Sequence, residues 1–143
     1  TKTNRMEKTS MKLELARYIT QWSSVKYIRA ETDCMMFIFC WHDVRFGTNK
    51  NLSLYRKYSN HSEAVRFARN FVTMPSWLSS NGYKKLTAKN PKLKDGDIVL
   101  IERKHIDDLL LVFNNSLYTM DEERGLIRIV PSVVKYDTVW RQA

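Results

Sequence analysis

Residues 31–44, Glu-Thr-Asp-Cys-Met-Met-Phe-Ile-Phe-Cys-Trp-His-Asp-Val, constrain this chain more than any other stretch. The stretch opens polar and then runs from Cys34 to Trp41 without a charge. Thr32 and Asp33 carry side-chain oxygens that accept the orphan backbone N–H groups of a first helical turn. A helix starting there is apolar on nearly every face for about three turns, so it belongs in the centre of the domain. It is too short to cross a bilayer, which takes about 20 apolar residues. Cys34 falls at the positive end of the helix dipole, where a thiolate is favoured. It is therefore either a small buried hydrophobe or a nucleophile. Cys40, in mid-helix, reads as core.

The flanks divide the chain by character. Residues 1–9 are polar and charged and are expected to form a flexible terminus. The remainder, 10–143, reads as a single domain, long enough to bury a core. Ser10 opens an amphipathic helix to about Ser23, with Met11, Leu15, Tyr18 and Trp22 on one face. After the central helix, Gly47 and Asn49 signal a stop, and residues 52–58 are expected to be a loop or half-turn over the surface. Ser62 is expected to cap a second amphipathic helix carrying Ala64, Phe67, Ala68 and Phe71 on one face. Pro75 starts a short helix that ends at Gly82.

Beyond it the period changes. Ile98–Ile101 is a buried strand after a tight turn at residues 94–97. Residues 109–113 make a second strand, Asn114-Asn115 a hairpin turn, residues 116–120 a third strand and residues 126–130 a fourth, ended by Pro131. Residues 133–140 are one further short strand or turn. Helices first and antiparallel strands afterwards define an α+β fold, with N-terminal helices packed on a small antiparallel sheet.

Composition narrows the function. The 43% hydrophobic and 12% aromatic content describes a globular chain. No segment reads as a signal peptide or a membrane span, so the chain is expected to be soluble and to begin its life in a cytoplasm. Cys34 and Cys40, close together on one helix, make no disulfide framework. The three histidines have no metal-ligand spacing, so neither a metal nor a cofactor is expected. The net charge of +9, from 24 Lys and Arg against 15 Asp and Glu, favours acidic partners. The basic residues are dispersed and no nucleic-acid motif set is present, which makes nucleic acid an unlikely partner. Trp77, Tyr83, Tyr118, Tyr136 and Trp140 are either core residues or the anchors of an interface.

A cysteine hydrolase built on Cys34 needs a histidine brought in from the sheet. Four short motifs bear on this: Asp33-Cys34 heading the buried helix, Gly96-Asp97 leading into a strand, Gly125-Leu126 turning into a late strand, and Trp140-Arg141 near the end. The N-terminal helix, Asp33-Cys34 at the buried helix, residues 95–100 and the short strands after them resemble the NlpC-type branch of papain-like cysteine peptidases. More closely, the four motifs in this order and spacing resemble a family of small uncharacterised tailed-bacteriophage proteins, over about residues 11 to 142. The resemblance implies a papain-like arrangement with the catalytic histidine at the start of the second strand and a glycine two residues on. In this chain Asp108 occupies the histidine position and Leu110 the glycine position. An aspartate ordinarily titrates near pH 4, about four pH units below a thiol, and is a poor base for one. His105, three residues earlier, is a weak candidate base. His42 lies about 12 Å along the helix from Cys34 and is too far away, and His61 has no evident place.

These readings lead to a non-enzymatic phage structural or assembly protein on a degenerate NlpC-like scaffold. The resemblance implies association with tail proteins near the tip or hub, in the host cytoplasm during assembly and in the virion if structural. One alternative is an active cysteine peptidase or amidase acting on peptidoglycan stem peptides during infection. The other is a basic nucleic-acid-binding module.

Overall fold

In the computed structural model the described residues are 2–70, 73–104 and 106–142, with the side chains of residues 2–9 excepted. The first half is helical. α1 (Lys2–Trp22) is followed by a connector, then α2 (Cys34–Phe46), a single 3-10 turn (Lys50–Ser53), α3 (His61–Asn70) and α4 (Met74–Ser80). The second half is a six-stranded sheet of β1 (Tyr83–Lys85), β2 (Ile98–Ile101), β3 (Asp108–Phe113), β4 (Ser116–Asp121), β5 (Gly125–Ile129) and β6 (Thr138–Gln142). Every pairing is antiparallel, in the order β1-β6-β2-β3-β4-β5. The fold is α+β, as the change of period along the chain predicts.

Helix α2 forms where its cap allows. Asp33 is extended and its carboxylate accepts the Met36 N–H, while Gly47 closes the other end in the left-handed region at φ 66°. Between these caps Met35, Met36, Phe37, Ile38, Phe39 and Trp41 are all buried. The helix lies against α1, whose Leu15 and Tyr18 are buried and whose Met11 and Trp22 pack at the margin, so the predicted face is the one used. Tyr18 donates its hydroxyl to the Phe37 carbonyl, and its ring sits 5.5 Å from that of Trp41. On the other side α2 rests on the sheet face of Ile98, Leu100, Leu109 and Leu111. The far face, with Val99, Leu110, Val112 and Val139, is covered by Leu86, Leu93, Val134 and Tyr136 from the connecting segments.

Several elements differ from the sequence reading. The helix expected from Ser10 begins at Lys2, inside the segment expected to be flexible. Lys, Arg, Met and Glu are strong helix formers and nothing between Lys2 and Ser10 breaks the pattern. α3 is capped by Asn60, whose side chain accepts the Glu63 N–H at 2.9 Å, and not by Ser62. Phe71 lies outside the described residues. β1 had no signal of its own: its three residues become a strand because β6 lies beside them. The hairpin at Asn114-Asn115 forms as expected, with both residues at positive φ (48° and 57°) as a type I′ turn requires. Of the two readings of the five aromatics, core or interface, the structure fits the first. Trp77, Tyr83 and Trp140 are buried, and Tyr118 and Tyr136 pack against the two apolar clusters.

The turn after α2 hangs on one carboxylate. Asp43 accepts bonds from the Thr48 hydroxyl (2.5 Å), the Lys50 N–H (2.6 Å) and the Asn51 backbone and side-chain amides (2.8 and 2.6 Å). Partial burial pushes its pKa up, but the hydrogen bonds, led by that of Thr48, outweigh this and hold it below the ordinary value. A carboxylate lowered on folding adds stability above its unfolded value, near pH 4, and loses it as pH falls through its folded value. Asp43→Asn is therefore expected to lower the urea midpoint at neutral pH. Its difference from the parent should close on acidification below about pH 4.

Candidate functional site

The start of α2 is where the chemistry was expected. Asp33 is 4% exposed. Its Oδ1 accepts the Met36 N–H at 2.9 Å, while its Oδ2 accepts the Ala30 N–H at 2.8 Å and the Tyr58 hydroxyl at 2.5 Å. Ala30 is held in the left-handed region at φ 62°, and its carbonyl accepts the Arg56 N–H at 3.0 Å. A residue with a Cβ adopts that conformation at a cost of about 1 kcal/mol. One carboxylate thus starts the helix, fixes the strained turn before it and anchors the loop that carries Tyr58.

Cys34 is partly buried and packed against the core. Its thiol is pushed up to about 12. Burial is the main cause, followed by the charge of Asp33 and then that of Asp108; the backbone N–H groups of Met35 and Cys34 act the other way without prevailing. The helix terminus does favour a thiolate, but desolvation and two carboxylates outweigh it. The phenol of Tyr27, which Cys34 and Asp33 also influence, is raised well above its ordinary range, again chiefly by burial. Cys40 is partly buried with its thiol raised to about 11, mainly by burial.

Asp108 begins β3 opposite Ile101. It shares the strand parity of Leu110 and Val112, whose side chains pack on the face away from α2. Its carboxylate accepts a bond from Arg103 Nε at 2.9 Å. Leu110, at the position where the resemblance implies a glycine, is buried in that far cluster. His105 lies outside the described residues. His42 is buried near the other end of α2, with Nδ1 3.0 Å from the Tyr83 hydroxyl and its ring against Phe46 and Trp77. Its pKa is lowered, mainly by burial. His61 opens α3. The structure thus brings Asp33, Tyr58 and Cys34 together and leaves His42 and His61 elsewhere.

Sequence reasoning found Gly96-Asp97 and Trp140-Arg141 as separate motifs and missed that they meet. Asp97 is 1% exposed, and Arg141 grips it with two parallel bonds, Nε to Oδ1 at 2.8 Å and Nη2 to Oδ2 at 2.7 Å. The same guanidinium donates to the Lys92 carbonyl at 2.9 Å, and Asp97 Oδ2 accepts the Lys94 N–H at 2.9 Å. These two motifs form a structural clamp. Gly125 is structural as well: it sits at φ 75°, where an added Cβ would lie 3.1 Å from the Val25 carbonyl.

Among the described residues no group of three His, Cys, Asp or Glu side chains converges to hold a metal ion, and no helix is long and apolar enough to cross a membrane. Cys34 lines neither the groove along Lys57, Arg66 and Phe67 nor the one along Leu86, Pro91 and Tyr136.

Fold and site together define an α+β domain with a protonated, carboxylate-flanked cysteine at the head of its central helix. The chain belongs to the family of a domain of unknown function, DUF6950, whose model matches residues 6–142. A search of curated proteins finds no match.

Proposed function

We propose that this chain is a non-enzymatic docking protein, a structural or assembly component of a tailed bacteriophage associated with the tail. The observation that carries the non-enzymatic part is the state of Cys34. A cysteine nucleophile works as the thiolate, and here burial, Asp33 and Asp108 all favour the thiol. The neighbouring carboxylate of Asp33 is occupied by the Ala30 and Met36 amides and the Tyr58 hydroxyl. The phage part rests on the order and spacing of the four motifs, two of which are joined in the Asp97–Arg141 clamp. A scaffold that outlives its chemistry can still present a surface.

In the folded protein with Cys40→Ala, Cys34 is expected to resist alkylation through neutral pH and to label fully only on unfolding. Rapid labelling that titrates well below pH 8 would overturn the non-enzymatic reading. The assembly reading expects the chain to co-sediment with tails or tail intermediates from infected cells. Its absence from both would sink that part.

A further inference from the structure

The basic residues are dispersed along the chain, but one stretch of it carries them without a balancing acid. Between Glu63 and Asp95 there is no acidic residue, while Lys84, Lys85, Lys89, Lys92 and Lys94 follow one another closely. All five are exposed. The fold draws them to one border of the sheet. Lys84 lies opposite Arg141 in the β1–β6 register, Arg141 bonds the Lys92 carbonyl, and the Lys94 N–H bonds Asp97. Asp97, in their midst, is buried and already matched by Arg141, so it does not neutralise the lysines.

This border is also an open edge. β1 pairs with β6 on one side and ends the strand order on the other. The Leu86 N–H donates to the Val139 carbonyl at 2.9 Å. Antiparallel alternation then turns the backbone groups of Lys84 toward β6 and those of Tyr83 and Lys85 outward.

We propose that the outer edge of β1, with Lys84, Lys92 and Lys94 beside it, docks an acidic extended segment of a partner protein, which adds to the sheet as a further strand. The proposal rests on the docking reading above and names the partner's chemistry. Lysines on an edge repel ordinary strands, and the same lysines favour a strand bearing carboxylates, because opposite charges across a strand pair stabilise and like charges destabilise it. A second copy fits poorly, since β1 against β1 would set lysine against lysine in a chain of net charge +9. A polynucleotide fits less well than a peptide. Tyr83 and Trp140 are buried and Tyr136 packs on the sheet, so at this border no described ring stands out for base stacking.

The test titrates the isotope-labelled full chain with a short capped peptide of alternating Glu and Val, and in parallel with its Lys-Val counterpart and with oligo(dT). The Glu-Val peptide is expected to bind and to slow amide exchange at Tyr83 and Lys85. Reversing Lys84, Lys92 and Lys94 to Glu should weaken it about tenfold or more, while reversing Lys26, Lys50 and Lys57 should leave it unchanged. Lys85→Pro removes an outward donor and no bond to β6, so it should block the peptide in a folded chain. Four outcomes would overturn the proposal. The first is no slowing at Tyr83 and Lys85, and the second is equal weakening by the two charge-reversed sets. The third is stronger protection by oligo(dT), which would mean nucleic acid. The fourth is protection that grows with protein concentration alone, which would mean a second copy. None of these readouts involves Cys34, so a failure here and a reactive Cys34 are separate results.

Discussion

Asp97→Ala is expected to cost about 3–5 kcal/mol of folding stability, measured by urea unfolding at neutral pH, because it strands the other half of a buried ion pair. Asp97 is 1% exposed and takes both arms of the Arg141 fork as well as the Lys94 N–H. Its loss orphans a guanidinium whose side chain is 29% exposed and a backbone donor in the turn before β2. The cost follows from breaking the pair and does not measure its net worth. Arg141→Met in the Asp97→Ala background should therefore cost much less than Arg141→Met alone. A single-variant loss under about 1 kcal/mol, with additive effects in the double variant, would show that the fork ties nothing together.

Asp33→Ala is expected to cost about 3 kcal/mol, since it removes a helix cap and leaves the Ala30 and Met36 amides and the Tyr58 hydroxyl without their acceptor. Tyr58→Phe should lose only about 1 kcal/mol. Asp33→Asn keeps an acceptor for the cap but removes a charge beside Cys34. It should lower the thiol pKa from about 12 toward the ordinary range without bringing it to neutrality, because burial is the larger cause. Cys34→Ala should disturb stability far less than Asp33→Ala. The reverse order would mean that the cysteine and not the aspartate organises this corner.

What the sequence made legible was local. The α2 cap, the Asn114-Asn115 turn and the Met11, Leu15, Tyr18 and Trp22 face were read correctly because each is set by residues within a turn or two of one another. β1 was missed because Tyr83-Lys84-Lys85 has too little apolar alternation to declare itself; its partner β6 lies far along the chain. The Asp97–Arg141 fork was missed for the same reason, since a contact across that separation leaves no periodic trace in either segment. At the candidate site, the helix-terminus argument identified a real effect on Cys34. Its size against burial and two neighbouring carboxylates was not in the local sequence, because burial and the approach of Asp108 are set by parts of the chain far from Cys34. The aromatics left open between core and interface were undecidable for the same reason: Trp77 and Tyr83 have polar neighbours in sequence but stack under α2, where the Trp77 ring lies 4.0 Å from that of Phe39.

The position of β6 has a consequence for synthesis. Residues 138–142 sit between β1 and β2, so a nascent chain holds both flanking strands long before the one that joins them emerges from the ribosome. Until then Lys84 and Lys85 belong to no sheet and there is no edge to offer. An acidic partner that reads this border would therefore engage chains in which β6 has taken its place and pass over those in which it has not.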